Sequence, residues 1–227
     1  MGFTERVQAY IAAKYYVYLT ERFQDRGRKA FLHAVQYYAS QRGRRMAQRV
    51  IRDGRDLTQE TYNYYGEWVN TEEIRSEGTA NVMAAQPDGS LHITVCPWYE
   101  QFRSMGLTEA GKLYCSDLDA SISRGFNPKL GYEVIQTMYE GSCCIHRLAA
   151  GEVAAGAQKG KNPEGLRSFS YHCAHTYWTF YEVSRAIFRE EGEKAAEDVL
   201  RDLTEDYGQE MADELLSYRD TNFNVCD

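Results

Sequence analysis

Apolar residues recur through the first third of the chain with a helical period. Phe31, Ala34, Val35 and Tyr38 follow i, i+3, i+4, i+7, the spacing of one buried helix stripe. Val7, Ile11, Tyr15 and Tyr18 do much the same, and a break is expected at Asp25-Arg26-Gly27. A third helix is expected after Asp56 or Thr58, both good N-cap types. Tyr62, Tyr65 and Val69 would face inward from it, with Glu60 and Glu67 on its exposed side.

The middle of the chain changes period. Leu91-His92-Ile93-Thr94-Val95 alternates, and Asn81–Ala85 precedes it across Gln86-Pro87-Asp88-Gly89-Ser90. Pro presets φ and Gly accepts positive φ, so this is a turn between two strands. Cys96-Pro97 ends the second strand, because Pro cannot donate to a central ladder. A short helix can open at Thr108 after Gly106. A second hairpin is expected from Tyr132 to Tyr139 and from Cys143 to Ala149, turning at Glu140-Gly141-Ser142. The glycine-rich stretch from Gly151 to Gly165 reads as a loop able to act as a lid. Helical spacing returns with Phe169, Cys173, Thr176, Phe180, Val183 and Ile187, and Gly192 is expected to divide this helix from the next.

The layout is α+β: a four-stranded antiparallel sheet of two hairpins, packed with N- and C-terminal helices. One domain is expected over 1–227, with helices in 1–77, a hairpin-containing core in 78–150 and helices in 165–220. A chain of this length can bury a core without disulfides or metal staples.

Charge changes the picture of partners. The formal net charge is −7, which argues against a nucleic-acid binder. Nine Lys/Arg face one acid between Arg26 and Arg55, and eleven acids face two bases between Glu190 and Glu214. These runs are either solvated faces or partners of each other, and the basic one could also rim a pocket for a carboxylate. No stretch approaches the roughly 20 apolar residues of a membrane span. The N-terminus lacks the pattern of a signal peptide, and six cysteines without a leader suggest reduced thiols. The expected location is the cytoplasm. The 18 tyrosines suit pockets and half-buried faces and leave room for a homo-oligomer interface.

Candidate chemistry concentrates between positions 96 and 146. Cys115 and Asp119 are one helical turn apart if 108–124 is helical. Asp119 cannot activate the thiol directly, since like charge raises a thiol pKa; it could orient a histidine or help hold a cation. On a strand, Cys144 and His146 point to one face while Cys143, Ile145 and Arg147 point to the other. Cys144 and His146 could serve as nucleophile and base or as two metal ligands. His172 and His175 lie one helical turn apart among aromatic residues, where packing is the simpler reading. Any one of these cysteines could equally be a small buried hydrophobe.

At these residues the chain resembles the L-2-amino-thiazoline-4-carboxylic acid hydrolase family. The stretch from Tyr38 through Arg44-Arg45-Met46-Ala47 is similar to the family's Arg-Gly-x-Arg-x-Ala. There follow Cys96-Pro97, Gly111 through Tyr114-Cys115, Asp119, Gly125-Phe126-Asn127-Pro128 and Gly141-x-x-Cys144-x-His146. The resemblance spans roughly 30–150. It implies hydrolytic opening of a cyclic amidine, amide or thiazoline in a small amino-acid-like substrate. On it, Cys115 or Cys144 would be the nucleophile, His146 the general base, and Asp119 the group fixing its tautomer. An Arg of the 42–49 cluster, with Arg44 and Arg45 as the named candidates, would bind a substrate carboxylate, with Asn127 and His172 as further contacts. No cofactor is required on this reading. Two alternatives remain open: metal-assisted hydrolysis with zinc or iron held by Cys115, Asp119, Cys144 and His146, and a non-catalytic small-ligand or metal-binding sensor.

Overall fold

The computed structural model describes residues 2–148 and 160–226, with the side chain of Leu148 excepted. Most of the expected lid loop, and the end of the second hairpin at Ala149, lie outside the described residues. Helix α1 spans Glu5–Phe23 and α2 spans Asp25–Arg52. They are separated by a single residue, Gln24, at φ 52°. The break therefore precedes the expected Asp25-Arg26-Gly27. Gly27 serves another purpose: a Cβ there would collide with the Leu19 carbonyl, so glycine lets the two helices cross closely. The same corner recurs at the other end of the chain. Helices α7 (Phe169–Phe188) and α8 (Glu190–Tyr207) are divided by Arg189 at φ 56°, and a Cβ at Gly192 would meet the Ser184 carbonyl.

The third helix is shorter than its apolar spacing suggests. Helix α3 covers only Gln59–Tyr64, opened by a Thr58–Thr61 capping box. Past it the chain leaves the helical period; Tyr65 is buried as expected, but Glu67 and Val69 exchange sides. Glu67 is fully buried and Val69 is 45% exposed. A one-turn helix α4, Glu72–Ser76, is capped by Thr71.

The first hairpin forms as expected, with β1 at Val82–Ala85 and β2 at Leu91–Val95. Gly89 takes φ 81° in its turn, and Asp88 Oδ1 accepts from the Ser90 backbone and hydroxyl. Pro97 does end β2, and it also sits in the first turn of helix α5, Pro97–Ser104, where a missing N–H costs nothing. The expected short helix at Thr108 becomes a 19-residue helix α6, Thr108–Phe126. Strands β3 (Tyr132–Gln136) and β4 (Cys144–Leu148) are joined by a loop in which Glu140 accepts from the Thr137 backbone and hydroxyl. All pairs are antiparallel, in the order β1-β2-β4-β3. The chain is α+β, and the strand carrying Cys144 and His146 lies inside the sheet.

The core is helical. Helices α1, α2, α7 and α8 pack on one another, and a last helix α9, Gln209–Ser217, closes onto α7 and α8. The acidic run lies on α8 and α9, and three aspartates of α8 pair with α1 rather than with the basic run. Asp202 takes Lys14 at 2.7 Å and the Tyr18 hydroxyl, Asp206 takes the Tyr10 hydroxyl, and Asp198 takes Arg22. Helix α6 lies on α2, and the sheet meets α6 through β3. The α2–α6 crossing is set by glycine on both sides. A Cβ at Gly43 would strike the Ile122 carbonyl, and one at Gly125 would strike Ser40. Gly43→Ala or Gly125→Ala should cost about 1–3 kcal/mol, the usual range for overpacking. Urea denaturation measures it, and Gly2→Ala, with open space around it, serves as the neutral control.

Candidate active site

Between α2, α6, the segment 62–70 and the inner face of the sheet lies a cavity of about 440 Å³. Cys115 and Asp119 of α6 and Cys144 and His146 of β4 all line it. Strand alternation sends Cys144 and His146 to this side. Arg147, on the opposite side, reaches Asp88 at 3.6 Å. Cys143, just ahead of the strand, contacts His92 at 3.9 Å. Cys96, at the end of β2, is a third thiol in the wall.

The imidazole of His146 is nearly sealed from solvent, and its Nδ1 lies 2.6 Å from the Tyr132 hydroxyl. Asp119 makes no hydrogen bond or ion pair among the described residues. The group that fixes His146 is therefore Tyr132 of the neighbouring strand β3, and not Asp119. Val134 stands opposite His146 in the ladder, so Tyr132, two residues earlier, shares its face. Burial pushes the Tyr132 phenol well above its ordinary value, with the Asp119 charge adding to the effect. Burial pushes His146 down, against the pull of Asp119.

The thiols are neutral as well. Burial raises Cys96 to about 12 and Cys144 to about 11, and carries Cys115 well above the thiol range. Asp119 and the neighbouring sulfurs add to each shift. Among the described residues no cation raises the thiolate fraction of these three cysteines, which is what an activated cysteine needs.

The cationic end of the cavity is Arg42 with Lys161. Helix α2 turns three arginines inward at 42, 45 and 49, continuing the stripe of Phe31 and Tyr38, and all converge on the buried Glu67. Arg45 binds it with two parallel hydrogen bonds of 2.9 and 2.7 Å, and Arg49 at 2.8 Å. Arg42 stands farther off, 3.6 Å from Glu67, with its Nε buried and without a hydrogen bond. Burial opposes ionisation of Glu67, but the arginines outweigh it and hold the carboxyl at about 2. Lys161 lies across Gly66, where any Cβ would collide with its ammonium, and donates to the Asn63 carbonyl at 3.3 Å. Burial and the Arg42 charge bring its pKa down to about 8.

The profile of the L-2-amino-thiazoline-4-carboxylic acid hydrolase family matches residues 4–148. The chain belongs to that family. No curated protein matches it, and no solved structure does. This family member is therefore, in coarse terms, a protein of a hydrolase family with an α+β fold. Lys161 falls outside the matched stretch, whereas Arg42 and the thiol, carboxylate and imidazole groups fall within it.

The substrate-contact candidates lie elsewhere. Arg44, out of phase with the buried stripe, is exposed on α2. Arg45 is fully buried in the Glu67 cluster and also donates to the Phe223 carbonyl. Asn127 caps a 3-10 turn, accepting from Lys129 N and donating to the Leu57 carbonyl. His172 is sealed in the core, with Nε2 3.1 Å from the Glu67 carbonyl, and burial beside Arg42 depresses it to about 3. None of the four lines the cavity. Arg42 was findable, since it lies four residues after the inward Tyr38. Tyr132 and Lys161 carried no sequence signal beyond their type. Among the described residues, no group of three or more His, Cys, Asp and Glu is arranged to hold a metal ion, and no helix is long and apolar enough to cross a membrane.

Replacing Glu67 by Gln strands the guanidiniums that share its carboxylate. The expected loss is about 3–5 kcal/mol of unfolding free energy, as for a broken buried ion pair. Glu109→Gln, which breaks an exposed pair with Arg28, should cost less than about 1 kcal/mol. Equal losses in parallel urea titrations would refute the hub role of Glu67.

Proposed function

We propose that this protein hydrolyses a small cyclic amidine or thiazoline bearing a carboxylate, with Cys144 as nucleophile and His146 as its base. The observation that carries this reading is the division of one cavity into two ends. Cys144 and His146 share a strand face at one end, and Arg42, a buried arginine that makes only a long 3.6 Å ion pair with Glu67 and no hydrogen bond from its Nε, stands at the other. Arg42 receives the carboxylate, since a guanidinium offers paired donors to a planar anion, and Lys161 supplements it. Asp119, unpaired among the described residues, receives the amidinium. The substrate thereby brings the positive charge that the neutral thiols lack.

In the reactive form, Nδ1–H of His146 donates to the Tyr132 oxygen and Nε2 keeps its lone pair. Cys144 Sγ gives its proton to Nε2 and bonds to the amidine carbon. The ring bond from that carbon to sulfur breaks, and the departing sulfur takes the proton from His146. Water then adds to the same carbon and the bond to Sγ breaks. One water proton returns to Sγ, the other, released as the amidinium becomes a neutral urea, passes through His146 Nε2 to solvent, and the ring-opened carbamoyl amino acid leaves. An ionised Cys144 raises the pKa of Cys115 further, so Cys115 stays protonated while Cys144 reacts.

Two outcomes test this. Cys144→Ala and His146→Ala should each lower kcat on 2-aminothiazoline-4-carboxylate by at least about 10²-fold, the lower range of general acid–base effects, with unfolding midpoints held. Arg42→Lys should raise KM by about 10- to 100-fold, the worth of a charged hydrogen bond. Near-normal turnover in both the Cys144 and His146 variants would end the assignment.

Lys161 adds a pH dependence. Its pKa lies below the ordinary lysine value, so its charge is present below about pH 8 and lost as pH rises through that point. Arg42 faces it from α2, and Arg55 and Glu60 share a second hollow with it. kcat/KM should fall as pH passes 8, chiefly through KM. Lys161→Arg, which stays charged, should move that fall to higher pH. An unmoved profile would remove Lys161 from the carboxylate site.

A further inference from the structure

The cavity is larger than an aminothiazoline carboxylate requires. At the roughly 30 Å³ that one water takes in the liquid, 440 Å³ corresponds to about 15 water-sized groups. The surplus has a direction. Ladder register sets Ile93 opposite Cys144, and Met83 opposite Ile93. Leu91 stands opposite His146. From the reactive strand, the inner sheet face therefore runs sideways through two apolar residues of β2 to Met83 on the edge strand β1. Trp68 and Val69 face the same space from the segment after α3. Trp68 is braced edge-on against Trp98 with ring centroids 5.0 Å apart.

The end of this lane is open, with exposed apolar side chains beside the mutually bonded amides of Asn70 and Asn81. Of the large hydrophobic side chains that are exposed, Val69 at 45% and Met83 at 55% also line the cavity. Exposed apolar side chains standing singly need no explanation. Two at the end of a continuous apolar track from a reactive centre do, because a small polar substrate would leave the whole track hydrated.

We infer that the substrate carries an apolar substituent on the exocyclic nitrogen of the amidine. The group leaves the reacting carbon along Leu91 and Ile93 and emerges between Val69 and Met83. The attachment point follows from the placement of the ends. The carboxylate is taken by Arg42, the lane begins at Cys144 and His146, and the exocyclic nitrogen is the one substituent of the reacting carbon outside the ring. The length follows from the sheet. Two strand spacings of about 4.8 Å separate Cys144 from Met83. Extended chain advances roughly 1.2 Å per bond, a third of the span of one extended residue, so about eight atoms fill the lane. This inference rests on the hydrolase reading and adds the substrate's shape.

The test is a series of 2-(alkylamino)thiazoline-4-carboxylates from the unsubstituted acid to the decyl derivative, with kcat/KM measured on the chain of residues 1–227. kcat/KM should climb about fourfold per methylene over the first carbons, the gain for a fully buried CH₂, and level off near eight atoms where the lane opens to solvent. In Met83→Glu the octyl-to-unsubstituted ratio of kcat/KM should fall at least about tenfold. An unsubstituted acid turned over as well as its alkyl derivatives, or a ratio unmoved by Met83→Glu, overturns the lane while leaving the hydrolase reading intact. If no member of the series is turned over, the hydrolase reading falls and the lane falls with it.

Discussion

A buried carboxylate shared by three guanidiniums organises this molecule. Glu67 sits on a non-helical stretch after α3, and the arginines come from successive turns of α2. The cluster also reaches His172 through the Glu67 carbonyl, and the C-terminal tail through the Phe223 carbonyl. Taking these charges out of water is expensive. The outlay is offset only where each group keeps its partners, so the segment 62–70 is pinned against α2 and α7. Trp68, Val69 and Asn70 follow directly and become one wall of the cavity. The division of labour among the arginines has the same origin. Arg45 and Arg49 hydrogen-bond the carboxylate directly, and Arg42, farthest from it, is the one of the three that also lines the cavity.

The opposite wall depends on two backbone facts. Glycines at 43 and 125 let α6 lie directly on α2, which brings Cys115 and Asp119 within one cavity's width of Arg42. Strand alternation then sets Cys144 and His146 on the face of the sheet turned to α6. The result is a chamber with charge at its margins and uncharged thiols and imidazole in its wall. On the proposed reading, burial that suppresses the thiolate also keeps the empty site inert. Reactivity would come with the substrate, whose amidinium answers Asp119 and whose carboxylate answers Arg42.

Much of the architecture was legible along the chain. Helical stripes, the Pro-Asp-Gly turn and the alternation around Ile93 each rest on a local period or a local backbone preference, and each formed its expected element. Glycine was misread where its role is tertiary. Gly27 and Gly192 look like helix breaks, yet they are points of close crossing, and the breaks fall at Gln24 and Arg189. Glu67 and Val69 were assigned to the wrong sides because the helical period was carried past residue 64, where the helix stops.

The site divides along the same line. That Cys115 and Asp119 share a helix face, and Cys144 and His146 a strand face, follows from spacing alone, because side-chain direction repeats every 3.6 or every 2 residues. That both faces look into one chamber does not, because helix α6 and strand β4 are distant in sequence and meet only through packing. The same holds for Tyr132 as the partner of His146 and for Lys161, whereas the inward direction of Arg42 follows from its spacing to Tyr38. Local chemistry along the chain decides which way a side chain points. Only the folded arrangement decides what it points at, and whether water or hydrocarbon surrounds it when it gets there.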